Sequence, residues 1–126
     1  MLEEFKSAID LVNAFPNEDV CINHLENLRW GGIAVSPFDA RSVVYKCKNG
    51  KYRCKSTGKY FNVRTGTLFD NTKIELKKWF LAIWLIDSQK SISSVQLSKD
   101  VGVTQKTAWF MLQRIRNCFG TDNETG

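Results

Sequence analysis

Residues 91–117 read SISSVQLSKDVGVTQKTAWFMLQRIRN, the pattern of two short helices joined by a tight turn. Ser93 and Ser94 can cap the first helix, and Gly102 follows it where the chain must turn and a positive φ is tolerated. The hydroxyl of Thr104 can then accept hydrogen bonds from the free amides in the first turn of a second helix. This succession of cap, turn and cap predicts a helix-turn-helix.

Each of the two predicted helices has apolar residues at helical spacing along one face. In the first helix these residues are Val95, Leu97 and Val101. In the second helix they are Ala108, Met111, Leu112, Ile115 and Phe119. We expect both faces to be packed. An ordinary amphipathic hairpin is the alternative, and the polar outer face of the second helix argues against it.

The outer face of the second helix is polar and cationic, which suits base edges and phosphates in a DNA major groove. The candidate base readers are Gln105, Lys106, Thr107 and Gln113, beside the capping residue Thr104. Phe110 lies on the same side, where it either contacts a thymine methyl group or packs on another domain. The candidate phosphate contacts are Arg114, Arg116, Lys90 and Lys99.

The net charge of +5 is distributed unevenly along the chain. Residues 1–40 hold two basic and seven acidic residues, whereas residues 41–118 hold sixteen basic and four acidic residues. A basic region that includes the predicted helix-turn-helix indicates a polyanionic partner, which we expect to be double-stranded DNA. A second basic surface, suited to positioning the protein on a DNA backbone or minor groove, consists of Lys46, Lys48, Lys51, Arg53, Lys55, Lys59 and Arg64.

The pattern before residue 91 indicates two helices, a small sheet and a third helix. Helices are predicted at 2–14, with Phe5, Ile9 and Val12 on its apolar side, and from Asn17 to Trp30, before Gly31–Gly32. Strands are predicted at 43–45, 51–54 and 60–63, the first two joined by the hairpin signal Asn49–Gly50. Residues 73–87 are apolar on almost every side, which predicts a buried helix. The predicted fold class is α+β.

In this order the elements resemble the N-terminal region of zinc-ribbon insertion-sequence transposases. The matching stretches are LENLRW (25–30), YRC (52–54), YFNVRTGTLF (60–69), KKWFLAIWL (77–85) and residues 92–116. The resemblance spans residues 19–119 and implies a bacterial mobile-element protein that binds DNA, naturally at the terminal inverted repeats of its element. It also implies a larger catalytic domain of DDE type, with three acidic metal-binding residues, beyond the DNA-binding region.

The resemblance suggests four regions. They are N-terminal helices at 1–32, a degenerate zinc-ribbon β-element at 33–70, a helix-turn-helix DNA-binding region at 71–119 and a disordered tail at 120–126.

Two Cys-x-x-Cys pairs hold zinc in this family, but here only one of the four cysteines remains. The corresponding tetrapeptides are Ser36–Pro37–Phe38–Asp39 and Cys54–Lys55–Ser56–Thr57. Because one thiolate cannot hold a structural zinc, we expect no metal and no other cofactor. The alternative is a substitute site formed by Cys21, His24, Cys47 and Cys54.

No cluster of carboxylates typical of metal-dependent phosphoryl transfer is apparent in residues 41–118. We therefore expect this chain not to be an enzyme by itself. We expect it to be a fragment, a shortened form or a truncated gene product of a DDE-type transposase, whose self-association stays an open question.

Two other functions remain open. One is a transcriptional regulator that uses the same helix-turn-helix on an operator, and the other is a protein-interaction adaptor whose acidic N-terminal helices bind a basic partner. No secretory signal is apparent, and the longest apolar run, at 79–86, is far shorter than the ~20 residues of a membrane span. We expect a cytoplasmic, nucleoid-associated bacterial protein with reduced cysteines and no membrane partner.

Overall fold

The computed structural model describes residues 5–119, which form five helices and a three-stranded antiparallel sheet. The predicted α+β class is therefore confirmed. In chain order the elements are α1 (Ala8–Ala14), α2 (Glu18–Trp30), β1 (Val44–Lys46), β2 (Tyr52–Cys54), β3 (Tyr60–Phe61), α3 (Leu76–Ser88), α4 (Ser94–Val101) and α5 (Gln105–Phe119).

The described residues divide into two compact units. The first unit consists of residues 5–18 and 74–119, and the second of residues 19–73. The four regions predicted from the sequence stay a prediction, and the tail at 120–126 lies outside the described residues. No helix within residues 5–119 is both long and apolar enough to cross a membrane.

In the first unit, α1 begins at Ala8, where the Ser7 hydroxyl caps it, so residues 5–7 are not part of the helix as predicted; residues 2–4 of the predicted helix lie outside the described residues. This hydroxyl accepts a hydrogen bond from the amide of Asp10 at 3.2 Å. Leu11 is the buried residue of α1, whereas Ile9 is 72% exposed. The prediction that Ile9 belongs to the apolar side is wrong. Ile9 lies two positions before Leu11, and residues two positions apart in a helix lie about 200° apart around its axis.

The core of the first unit is α3, which is buried on several sides as predicted. It begins at Leu76, whose amide donates to a carboxylate oxygen of Glu18 at 3.0 Å. Its fully buried rings belong to Trp79 and Phe80, and Phe80 meets the ring of Phe15 edge-on at 5.1 Å. The buried residues of α3 are Leu76, Trp79, Phe80, Ala82, Ile83, Leu85 and Ile86.

In the second unit, an aromatic cluster joins the end of α2 to one face of the sheet. The ring of Trp30 meets Tyr52 edge-on at 5.3 Å, and Tyr52 stacks on Phe61 at 5.6 Å. The strands lie in the order β1-β2-β3, antiparallel throughout. The Asn49–Gly50 turn is confirmed, since both residues have positive φ, of 60° and 74°, and the amide of Lys51 donates to the carbonyl oxygen of Lys48 across them.

Candidate nucleic-acid interface

The caps and the turn predicted between 91 and 107 lie where expected, with Ser93 as the first cap and Ser94 as the first residue of α4. Ser93 caps α4, because its hydroxyl accepts a hydrogen bond from the amide of Gln96 at 3.1 Å. Gly102 ends α4 in the left-handed conformation, with φ of 81°. The Thr104 hydroxyl then accepts from the amide of Thr107 at 3.1 Å. Local hydrogen bonds therefore define both helix ends and the short turn between them.

The packed faces of the two helices are largely as predicted, with two errors. The buried residues are Leu97 and Val101 in α4, and Ala108, Met111, Leu112 and Ile115 in α5. Val95 is 43% exposed and Phe119 is 58% exposed, so the predicted packing of these two side chains is wrong. Val95 lies two residues before Leu97 and points away from it, and Phe119 is the last residue of α5, a full turn beyond Ile115.

The outer face of α5 exposes both amide and cationic groups near its first turn. Gln105 and Lys106 are exposed, whereas Thr107 and Gln113 are half-buried. This helix contains no carboxylate in its fifteen residues. The start of α5 therefore presents hydrogen-bonding and positive groups without a competing negative charge.

Trp109, which was not among the residues predicted for this face, is 57% exposed on it. Trp109 lies three residues after Lys106 and four before Gln113, so the helical spacing of its neighbours was a signal that could have found it. An open cleft of about 410 Å³ adjoins it, lined by Ser94, Gln105, Lys106 and Trp109. The first residues of α4 and α5 thus share one concave surface with an aromatic side.

Phe110, for which two roles were left open, packs within its own unit. Its ring meets Trp79 edge-on at 6.3 Å, and the guanidinium of Arg114 lies over it at 5.0 Å. Its exposed fraction is 38%. Arg114 is therefore held at the side of the outer face by its contact with this ring.

The predicted phosphate contacts differ in their surroundings. The guanidinium of Arg116 donates to the carbonyl oxygens of Lys90 at 3.1 Å and Ile92 at 3.4 Å, so it joins α5 to the segment before α4. The ammonium of Lys90 lies 3.5 Å from a carboxylate oxygen of Asp87. Lys99 is exposed in the last turn of α4. Arg116 thus has a structural contact, whereas Lys99 extends into solvent.

The second predicted basic surface lies in the second unit. Its exposed members are Lys46, Lys48, Lys51, Arg53, Lys55 and Lys59. The ammonium of Lys59 lies 5.1 Å from the centre of the Phe38 ring. Arg64 is half-buried and donates to the carbonyl oxygen of Thr72 at 3.4 Å.

The residues at the expected zinc positions do not fit a zinc ion. The thiol of Cys54 is buried and surrounded by the hydroxyls of Ser36, Ser42, Ser56 and Thr57, which lower its pKa. Structural zinc requires four sulfur or nitrogen ligands, and hydroxyls do not replace them. Within residues 5–119, no three His, Cys, Asp or Glu side chains form a group that could hold a metal, so the substitute set of Cys21, His24, Cys47 and Cys54 is not assembled.

The chain is similar to a protein of a mobile element. It is 32% identical over 110 residues to a protein of Halobacterium salinarum described as an uncharacterized protein in transposable element ISH50. The match covers 82% of this chain and 36% of that protein, so the chain spans about a third of the length of this curated relative. No family model matches the chain, and no solved structure matches it. The similarity supports the predicted link to insertion sequences at this coarse level.

Proposed function

We propose that this chain is a DNA-binding module of an insertion-sequence transposase, in which α4 and α5 act as a helix-turn-helix and α5 enters the major groove. The observation that carries the proposal is the exposed start of α5, where Gln105, Lys106 and Trp109 line a cleft free of carboxylates. In helix-turn-helix proteins, the N-terminal residues of the second helix contact base edges.

Each group on this surface has a chemistry suited to duplex DNA. The Gln105 amide can donate and accept at once, which matches the major-groove edge of adenine. The Lys106 ammonium can donate to guanine or to a phosphate oxygen. The Trp109 ring offers an apolar surface for a thymine methyl group. Lys99 and Arg114 then lie where they can contact phosphates and hold the helix in register.

The proposed target is the terminal inverted repeat of a mobile element, and the chain itself is proposed not to catalyse strand transfer. Support for the element comes from the relative in ISH50, of which the chain spans 36%. We propose that a DDE-type catalytic domain belongs to the part of such a protein that this chain does not cover. The protein would then work in the cytoplasm, associated with the nucleoid.

The proposal is tested by the affinity of the Lys106→Ala variant for duplex DNA, measured by fluorescence anisotropy. We expect this variant to bind about tenfold more weakly than the unmodified chain, since a single good contact contributes about 1–3 kcal/mol. Lys6→Ala is the matched control, because it removes the same charge from an exposed position that is distant from Lys106 in the sequence. Equal affinity of the Lys106→Ala variant and the unmodified chain at every salt concentration would refute the assigned face.

A further inference from the structure

The two faces of the small sheet have opposite character. Side chains alternate along each strand, so neighbouring residues point to opposite faces. Tyr52 and Phe61 are buried on the face that packs against Trp30, whereas Arg53 and Tyr60, their neighbours in sequence, are exposed. One face therefore belongs to the core of the second unit, and the other is open to solvent.

Strand register aligns three side chains of the open face in one row. Tyr45 in β1 lies opposite Arg53 in β2, and Arg53 lies opposite Tyr60 in β3. Tyr45 is 42% exposed and Tyr60 is 60% exposed. The two tyrosines are two strand spacings apart, or about 10 Å at the backbone. Two exposed aromatic rings thus flank a guanidinium across the full width of the sheet.

The segment of chain that forms the sheet carries charge of a single sign. Residues 41–69 contain eight basic residues and no acidic residue. Arg53 makes no hydrogen bond or ion pair with any side chain in residues 5–119, so its charge is not neutralised there. Lys51 and Lys55, two residues before and two residues after Arg53, are both exposed. An aromatic row inside a positive field is complementary to a polyanion that also carries flat apolar groups.

We propose that the Tyr45–Arg53–Tyr60 row is a stacking platform for single-stranded DNA, a site distinct from the duplex-binding face of α5. Bases in a duplex are stacked on one another, so their faces are not available to an exposed tyrosine. Unpaired bases do offer their faces, and proteins that bind single strands combine aromatic rings with a cationic groove. In this platform Tyr45 and Tyr60 each stack on a base, and Arg53 contacts the phosphate between them.

The test uses the full chain and fluorescein-labelled oligothymidine in an anisotropy titration. The unmodified chain is expected to bind this probe. The double variant Tyr45→Ala, Tyr60→Ala is expected to bind it at least about tenfold more weakly, because it removes both rings on which bases would stack. The double variant Tyr45→Phe, Tyr60→Phe keeps both rings and should retain the affinity. Circular dichroism spectra of the variants check that the sheet is intact.

Three results would overturn the platform. They are no binding of oligothymidine by the unmodified chain at low salt, equal binding by the double alanine variant, and tighter binding of oligouridine than of oligothymidine. The Lys106→Ala variant separates this inference from the proposed function. It should lose duplex affinity and retain oligothymidine affinity, so either site can fail alone.

Discussion

The hydroxyl of Ser36 acts on the thiol of Cys54 in the interior of the second unit, where it lowers the pKa of that thiol. Ser36 is 3% exposed and Cys54 is fully buried. The Ser36 oxygen accepts hydrogen bonds from the amides of Phe38 at 3.0 Å and Asp39 at 3.2 Å. Both lone pairs are therefore engaged, which leaves the single hydroxyl hydrogen available to the sulfur.

The other nearby serines are weaker hydrogen-bond donors to the sulfur, because their hydroxyl hydrogens already bond to other acceptors. The Ser42 hydroxyl donates to the carbonyl oxygen of Val43 at 2.9 Å, and the Ser56 hydroxyl donates to a carboxylate oxygen of Asp39 at 2.7 Å. Ser36 is thus the principal group that stabilises a thiolate at Cys54.

Replacing Ser36 with alanine should raise the pKa of Cys54. Hydrogen bonds from the hydroxyls, that of Ser36 first, lower this pKa to about 5, while burial acts in the opposite direction. As the pH is lowered, the thiolate absorbance at 240 nm should therefore persist in the folded protein down to about pH 5. In Ser36→Ala the same absorbance should already be lost at a higher pH. The matched control is Cys118→Ser, which removes an exposed thiol.

The same shift predicts how stability depends on pH. The pKa of Cys54 is lower in the folded protein than in the unfolded chain. The Cys54 thiolate therefore contributes fully to the free energy of unfolding above about pH 8.5, and this contribution is lost as pH falls towards 5. A wild-type protein with no thiolate absorbance below pH 8 would contradict this assignment.

The hydrogen bond from the Tyr52 hydroxyl to Glu26, at 2.9 Å, predicts loss of stability at high pH. Burial, and then the bond to Glu26, raises the pKa of Tyr52 to about 12. The folded state thus keeps a proton on Tyr52 that the unfolded chain releases near pH 10. The contribution of this hydroxyl to the free energy of unfolding is therefore present below pH 10 and is lost between pH 10 and 12. Tm measured from pH 8 to 12 should fall less steeply in Tyr52→Phe, and the exposed control Tyr45→Phe should follow the wild type.

Ala108→Asp should unfold the first unit or destabilise it by more than about 3 kcal/mol, because it buries an unpaired charge at a fully buried position. Asn117→Asp adds the same charge to an exposed position of the same helix and should change stability by less than about 0.5 kcal/mol. Urea denaturation followed by circular dichroism measures both. Similar midpoints for the two variants would mean that this face of α5 is not packed.

Arg116→Ala should lower stability by about 1–2 kcal/mol, because it removes the hydrogen bonds to the carbonyl oxygens of Lys90 and Ile92. Lys99→Ala removes an equal charge from an exposed site of the same unit and should leave Tm unchanged. Should both variants melt like the wild type, the guanidinium contact contributes nothing to folding.

Features governed by local chemistry were predictable from the sequence. The caps at Ser93 and Thr104, the glycine turn at Gly102 and the hairpin at Asn49–Gly50 depend on hydrogen bonds and φ values within a few residues. The buried α3 was predictable for a different reason, since an all-round apolar helix has no stable exposed state.

Features that depend on tertiary neighbours were not predictable. Whether Ile9, Val95 or Phe119 is buried depends on which elements cover each helix, and periodicity alone assigned all three to the wrong environment. The hydroxyl groups around Cys54 come from residues up to eighteen positions away from it in the sequence, so only the folded chain assembles them.

The most direct test of the account is duplex binding by the full chain across a salt series, with DNA of the element ends compared against random DNA by fluorescence anisotropy. We expect affinity to fall steeply with salt, because phosphate contacts release counterions, and the element ends to be bound more tightly at every salt concentration. No binding to either DNA at low salt would contradict the DNA-binding role of α5.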